Sequence, residues 1–312
     1  MRFSVDVSKV QGELYAPTSK SYTHRAIAIG ALSSECIVRK PLLSADTLAT
    51  VAACEKLGAK IELINGDLHI TGIKGKPGVP DDVIDVKNSG TTLRLMTAIS
   101  SLANGATVLT GDSSIRGRPN QPLLDVLNKM GVEVFSTRNN GCAPIVVRGG
   151  LKGSAAEIDG SMSSQFISAL LIACPLAEED TILSVKGQMK SRPYVDITIE
   201  MLAEAGVRIL VDENNGIRFI IPANQKYDLK EYTVPGDFSS ASYLLAAAAM
   251  LGPCISVHNL FPSKQGDSEI INVLRQMGAD VHWDTEKGIV TVNGKLLKGS
   301  CSMPEQHQIL YL

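Results

Sequence analysis

Two glycine registers recur through the chain at nearly one period, and this limits the available folds more than any other feature. Gly58, Gly131, Gly206 and Gly278 are spaced by 73, 75 and 72 residues, and each closes an amphipathic stretch. A second set, Gly66, Gly141, Gly216 and Gly288, recurs at 75, 75 and 72. They lie in LGAKIELINGDLHITG, MGVEVFSTRNNGCAPIVV, AGVRILVDENNGIRFII and MGADVHWDTEKGIVTV. Glycine just past a helix supplies a left-handed cap, and Asn-Gly between alternating runs marks a hairpin. Upstream of each segment a short strand enters a Ser- or Gly-rich turn and an apolar helix: PTSKSYTHRAIAIGAL, VKNSGTTLRLMTAISSL, DGSMSSQFISALLIA and PGDFSSASYLLAAAA. A second strand, a loop (LLSADTL, SIRGRPNQPLL, MKSRPYVDI or PSKQGDSEI) and the glycine-capped helix complete a unit. The unit reads β-α-β-α-β-β over about 73 residues. Such alternation predicts an α/β fold with parallel sheets covered by helices. Four complete units end near Gly294.

Composition narrows the class. At 312 residues the chain is too long for one ordinary core, so two domains are expected. With aromatics at 4%, that core is built from Ala, Val, Ile and Leu. Lys and Arg (30) nearly cancel Asp and Glu (32), which removes the footprint of a general nucleic-acid binder. No apolar run reaches the roughly 18 residues of a membrane span. The longest, Tyr243 to Leu251, reads as a short Ala/Leu helix. Met1, Arg2 and Phe3 begin an alternating run that reads as a strand rather than a signal peptide. Cys36, Cys54, Cys142, Cys174, Cys254 and Cys301 lie far apart without a CxxC pair, so reduced, buried thiols in a cytoplasmic protein are expected. His24, His69, His258, His282 and His307 show no metal spacing and read as packing or surface residues, and Trp283 as core. The absence of GxGxxG, GxxxxGK[ST] and GxSxG argues against dinucleotide, P-loop and α/β-hydrolase chemistry.

The candidate chemistry lies where helices open after strands, the edge at which open α/β sheets bind ligands. The first kind of opening carries Lys20, Ser21 and Arg25; Asn88, Ser89, Gly90, Thr91 and Arg94; Ser161, Ser163, Ser164 and Gln165; and Asp237, Ser239 and Ser240. The second kind carries Arg116 and Arg118; Lys190, Ser191, Arg192 and Tyr194; and Ser263, Lys264 and Asp267. Any one serine is explained by N-capping, a lone Arg before Pro by solvation, and Gly90 equally by tight helix packing. Recurrence is what shifts the balance, because cations repeat beside free helix amides, which attract anions. A helix terminus contributes about 0.3–1 kcal/mol per anion and a charge-assisted hydrogen bond about 1.5–3 kcal/mol. Lys and Arg therefore set affinity, while amides and hydroxyls set orientation. Clustered cations on a nearly neutral chain suit a small multi-anionic ligand better than a polymer.

PTSKSYTHRA, NSGTTLR, LTGDSSIRGRP, DGSMSSQF, SRPYVDIT, GDFSSASY and QGD, in this order, closely resemble the 5-enolpyruvylshikimate-3-phosphate synthase family, over residues 1 to about 299. The related UDP-N-acetylglucosamine enolpyruvyl transferases share the architecture but differ at SMSSQ. The resemblance implies a two-lobed, inside-out α/β barrel with three β-α-β-α-β-β units per lobe. It implies transfer of the enolpyruvyl group of phosphoenolpyruvate to the 5-hydroxyl of shikimate 3-phosphate, with release of phosphate, by a cytoplasmic and usually monomeric enzyme. No metal, cofactor, nucleic acid or membrane is implied. The alternatives are a non-catalytic phosphate-binding fragment and a sugar-nucleotide enolpyruvyl transferase. By the same resemblance Lys20 touches both substrates and acts in catalysis. Ser21, Arg25, Ser163, Ser164 and Ser191 hold shikimate 3-phosphate, Gly90 and Arg118 hold phosphoenolpyruvate, and Gln165 reaches both. Asn88, Arg94, Tyr194 and Asp237 match family motifs with less direct roles. His24 and Thr18 stand where many members have Asn and Gly, and neither departure removes a charged contact.

Six units would need about 440 residues, so about 130 are expected to be missing from this chain. By resemblance, these would hold a general-base Asp and a proton-transfer Glu, so this chain alone is expected to bind shikimate 3-phosphate weakly and to turn over negligibly. The tail SCSMPEQHQILYL lacks the repeat pattern, and codons compatible with it read in another frame as Thr-Pro-Asp-Leu-Ile-Pro. That matches the family's next motif, so a truncating frameshift is expected. Residues 20–235 should form a complete three-unit lobe, and 1–19 with 236–312 an incomplete second one with apolar faces exposed.

Overall fold

The computed structural model describes residues 11–252, 254–294 and 297. The readings of the Met1–Phe3 strand, Cys301, His307 and the tail lie outside them. The first repeat comprises β1 (Gln11–Tyr15), α1 (Lys20–Leu32), β2 (Glu35–Arg39), α2 (Ala45–Lys56), β3 (Lys60–Ile64) and β4 (Asp67–Thr71). The second comprises β5 (Ile84–Asp85), α3 (Gly90–Ser100), β6 (Ala106–Thr110), α4 (Gln121–Lys129), β7 (Glu133–Ser136) and β8 (Ile145–Arg148). The third runs β9 (Ala155–Asp159), α5 (Ser164–Ala173), β10 (Thr181–Lys186), α6 (Arg192–Glu204), β11 (Leu210–Asp212) and β12 (Arg218–Ile221). The fourth runs β13 (Glu231–Thr233), α7 (Phe238–Leu251), β14 (Cys254–His258), α8 (Ile270–Gln276), β15 (Asp280–Asp284) and β16 (Ile289–Asn293). All eight register glycines have positive φ, between 64° and 106°, a region that a Cβ disfavours. They cap the second helix of each repeat and turn its hairpin, as the spacing predicts.

The sheets are mixed rather than parallel. In each four-stranded sheet one pair is parallel and two are antiparallel, because the repeat closes on a hairpin. Nor is each repeat self-contained. The second and third form sheets β5-β6-β8-β7 and β9-β10-β12-β11 from contiguous chain, but the first and fourth exchange opening strands. Strand β13 adds to β2, and β1 adds to β14. The physical reason is where the chain crosses: residues 20–234 form one compact unit, and the segment up to Ser19 with Pro235 onward forms the other. Each opening strand precedes a crossing and stays with the unit it leaves.

In the 20–234 unit the first helix of each repeat is inside. Tyr22 to Leu32 of α1 is buried throughout, as is Phe166 to Ala173 of α5. Strands such as β9 alternate buried and exposed residues, so each sheet keeps one wet face. The core is aliphatic, with Phe166 and Phe219 among its few aromatics. The other unit has its own core around Phe238, Leu245, Ile255, Leu260, Ile270 and Val290. There Trp283 is half-buried, donates to the Leu260 carbonyl at 2.8 Å and meets the Phe238 ring edge-on at 5.7 Å. Its helix α7 leaves Tyr243, Met250 and Leu251 exposed on one face. Cys36, Cys54, Cys142 and Cys174 are buried free thiols, and Cys254 is only half-buried because β14 turns it toward the sheet's wetter face. No helix among the described residues is long and apolar enough to cross a membrane.

Candidate functional site

Three helix openings in the 20–234 unit converge on one cavity of about 590 Å³. Helix α1 contributes Lys20, Ser21 and Arg25, α3 contributes Gly90, Thr91 and Arg94, and α5 contributes Ser164 and Gln165. Asn88 and Ser163 precede the latter two openings, and the loops into α4 and α6 add Arg118 and then Lys190 and Ser191, with Tyr194 following in α6. Of the thirteen residues to which the family resemblance gives site roles, twelve therefore line one wall or another of this cavity. The thirteenth, Asp237, lies in the other compact unit, where its carboxylate accepts from the Ser240 amide at 3.0 Å and caps α7.

The serines divide by what their hydroxyls already do. Ser163 caps α5 by accepting from the Gln165 amide at 3.3 Å, so ordinary capping explains part of its presence. Ser191 also precedes a helix, but its φ of 55° is left-handed and its side chain makes no cap. A non-glycine residue held there carries backbone strain, and its hydroxyl is not used to cap the helix. At Gly90 a Cβ would stand 3.0 Å from a terminal nitrogen of Arg118. The nearest atoms to that Cβ position belong to the side chains of Arg118 and Ile115, not to a neighbouring helix backbone.

Charge is the dominant feature. Five cations, Lys20, Arg25, Arg94, Arg118 and Lys190, share the cavity with one carboxylate, Asp46. That carboxylate is 3.2 Å from Lys20 Nζ, and among the described residues the other four cations have no carboxylate within ion-pair distance. Arg25 is 2% exposed. It donates to Thr198 Oγ1 at 2.7 Å, to the Ser21 and Tyr194 carbonyls at 2.9 Å, and to Ser168 Oγ at 3.1 Å. Those bonds use four of its five N–H donors, which leaves one. Arg94 donates to Gln165 Oε1, lies over the Phe166 ring at 4.9 Å, and keeps a buried Nε without a partner. Burial pushes both guanidinium groups down to about 10, and for Arg94 the neighbouring Arg118 adds to the shift. Both remain charged at neutral pH. Arg118 donates to Asn88 Oδ1 at 3.4 Å and Ser114 Oγ at 3.3 Å, so it is loosely held. Buried cations without counter-charges are a standing cost that a bound anion offsets.

These surroundings coincide with a known family. A model of EPSP synthase (3-phosphoshikimate 1-carboxyvinyltransferase) matches residues 5–309. The chain belongs to that family. A 3-phosphoshikimate 1-carboxyvinyltransferase of Methanosarcina mazei is 67% identical over 295 residues, covering 94% of this chain and 69% of that protein. The one from Halobacterium salinarum is 48% identical over 305 residues, covering 96% and 70%. An EPSP synthase structure from Acinetobacter baumannii superposes with a TM-score of 0.77 at 27% identity, covering 94% of this chain and 66% of that one. The chain thus spans about two thirds of the length of the EPSP synthases it matches.

Sequence reasoning missed Asp46 and Met162, and gave Lys190 and Thr91 a position but no role. Asp46 follows the Ser44 capping box of α2 and reads as ordinary helix-end chemistry until the fold sets it against Lys20. Met162, 53% exposed, lacks any sequence cue beyond its place in SMSSQ. The remaining openings turn elsewhere. Arg192 pairs with Glu213 and lies 3.7 Å from Asp196, Arg116 donates to the Gly111 carbonyl, and Asp267 accepts from Ser239 at 2.6 Å in the other unit.

Proposed function

We propose that this cavity binds shikimate 3-phosphate and phosphoenolpyruvate side by side, for transfer of the enolpyruvyl group to the 5-hydroxyl with release of inorganic phosphate. The observation that carries the reading is the set of buried or loosely held cations without carboxylate partners, surrounded by helix amides and hydroxyls. Both substrates combine phosphate and carboxylate, the chemistry such a lining recognises. In this reading Ser163 and Ser164 hold the sugar-side phosphate, with Ser21, Ser191 and the remaining N–H of Arg25 orienting the ring. Arg118 and the Gly90 amide take phosphoenolpyruvate. Their closeness supports the assignment, since a side chain at Gly90 would displace the Arg118 guanidinium. Gln165, already held by Arg94, reaches both ligands. Lys20 stands between them, and Asp46 keeps it oriented. The 5-oxygen adds to the carbon bearing the phosphate as the neighbouring methylene gains a proton and the hydroxyl loses its own; the C–O bond to phosphate then breaks as a methyl proton is lost, and cations beside the departing phosphate stabilise its charge. A cytoplasmic location belongs to the same proposal, supported by scattered free thiols.

Calorimetric titration with shikimate 3-phosphate, then phosphoenolpyruvate, tests the binding step, and phosphate release with both present tests the chemistry. Saturable one-to-one binding of shikimate 3-phosphate that Arg25→Ala abolishes is expected. Preferential binding of a uridine nucleotide would sink the assignment.

A further inference from the structure

A buried chain of four polar side chains runs under one wall of the cavity and takes no part in the contacts assigned so far. His24 Nδ1 lies 2.7 Å from Thr50 Oγ1, which lies 2.7 Å from Thr92 Oγ1, and Thr92 Oγ1 donates to Ser89 Oγ at 2.6 Å. None of the four is more than 1% exposed. Proton counting fixes the direction, because each hydroxyl has one hydrogen to give. Thr92 gives its hydrogen to Ser89, so it accepts from Thr50, and Thr50 in turn accepts from the Nδ1–H of His24. Nδ1 therefore carries a hydrogen, and Nε2, buried without a partner, is the nitrogen that carries none. Burial, reinforced by Arg25, agrees by holding the imidazole pKa down to about 3.

The chain's placement gives it meaning. His24 follows Lys20 by four residues on α1, Thr50 follows Asp46 by four on α2, and Ser89 and Thr92 bracket Gly90 and Thr91 at the opening of α3. Residues four apart share a helix face, so His24 and Thr50 each lie one turn beneath a cavity-lining residue, while Ser89 and Thr92 directly adjoin two. Apolar side chains of the same shape would pack three helices as firmly, since replacing both partners of a buried hydrogen bond is nearly neutral. What a connected polar chain adds is directional registry.

We propose that the chain from His24 through Thr50 and Thr92 to Ser89 is a positioning element, with His24 as its positioning residue. It sets the α1 and α3 openings so that Lys20 and the Gly90 amide address the same pair of anions. The proposal rests on the substrate reading above and deepens it.

The test compares Thr50→Val, which cuts the chain without changing shape, His24→Leu, which removes its donor, and His24→Asn, which keeps a donor nitrogen at the δ position. Affinity for shikimate 3-phosphate and, separately, for inorganic phosphate is measured by calorimetry, with thermal unfolding on the same samples. Thr50→Val and His24→Leu are expected to weaken shikimate 3-phosphate roughly tenfold, the value of one misaligned charge-assisted bond, with His24→Asn within about twofold of the parent. Lower melting temperatures with unchanged affinities would mean packing alone and overturn the proposal, as would equal losses in His24→Asn and His24→Leu. If the parent binds inorganic phosphate but not shikimate 3-phosphate, only the substrate reading fails, and the same ratios with phosphate judge the chain. Binding of neither probe overturns both. Should the apolar variants fail to fold, nitrogen-15 spectra of the parent decide: an Nδ1–H ring is expected, and an Nε2–H ring refutes the chain.

Discussion

Helices α5 and α7 have nearly the same sequence character, SQFISALLIA against FSSASYLLAAAAML, yet the fold treats them differently. Every residue of α5 from Phe166 to Ala173 is buried, while Tyr243, Met250 and Leu251 of α7 stand 70%, 65% and 57% exposed. Both helices lie on a four-stranded sheet of the same topology. The difference is company: besides α6 of its own repeat, α5 packs on α3 of the preceding one, whereas α7 packs on β14, β16 and α8, all of its own repeat. One repeat covers one side of its inner helix, and only sibling repeats cover the rest. The same companionship builds the cavity, because three inner helices must converge before their openings can share a ligand.

The largest effect that would break this comparison concerns stability. Leu170→Ala, at a fully buried site of α5, is expected to cost about 2–5 kcal/mol through lost transfer energy and a cavity. Leu251→Ala on α7 is expected to stay within about 0.5 kcal/mol. Denaturant midpoints measure both, and equal losses would mean that α7 is covered in solution.

A smaller effect is read through pH. The folded-state pKa of His24 is depressed from 6.5 to about 3, so below 6.5 the unfolded chain binds a proton that the native one refuses. Stability is then unaffected by this group above pH 6.5 and falls on acidification from there toward pH 3, by about 1.4 kcal/mol per pH unit. His24→Asn should flatten that slope in the upper part of the window, where carboxylates do not yet titrate. An unchanged slope between pH 6.5 and 5.5 would show that the imidazole reaches water.

How much of this could be read from the chain follows from the range of each interaction. The glycine caps and hairpins were legible, because Gly58 or Gly66 needs only its neighbours to demand positive φ. The helix openings were legible too: recurrence put Lys20, Arg25, Gly90, Arg118 and the Ser163–Gln165 turn among the candidates, and the family resemblance singled them out. The exchange of β1 and β13 was not, since a strand's partner is set by where the chain crosses and not by its own alternation. Nor was Asp46, whose role exists only because α2 packs on α1, or the turning of Arg192 toward Glu213. The serines before helices show the same limit: Ser163 and Ser191 both precede a helix, but the first caps it and the second, in a left-handed backbone, does not.

The smallest expected change in stability lies on the open face of α7. Tyr243→Lys replaces an exposed aromatic with a charge on a helix that carries none, without removing a buried contact. Its cost should stay within about 0.5 kcal/mol, as for surface substitutions generally. Association should respond more strongly, because a stripe of Tyr243, Met250 and Leu251 is an apolar patch that water disfavours. Sedimentation at increasing concentration should show less self-association in Tyr243→Lys than in the parent, and weaker binding of a hydrophobic dye. The corresponding change inside α5, Leu170→Lys, should unfold the 20–234 unit, since a buried unpaired ammonium costs several kcal/mol. If Tyr243→Lys proves as damaging as Leu170→Lys, the two helices are equally enclosed and the contrast between them fails.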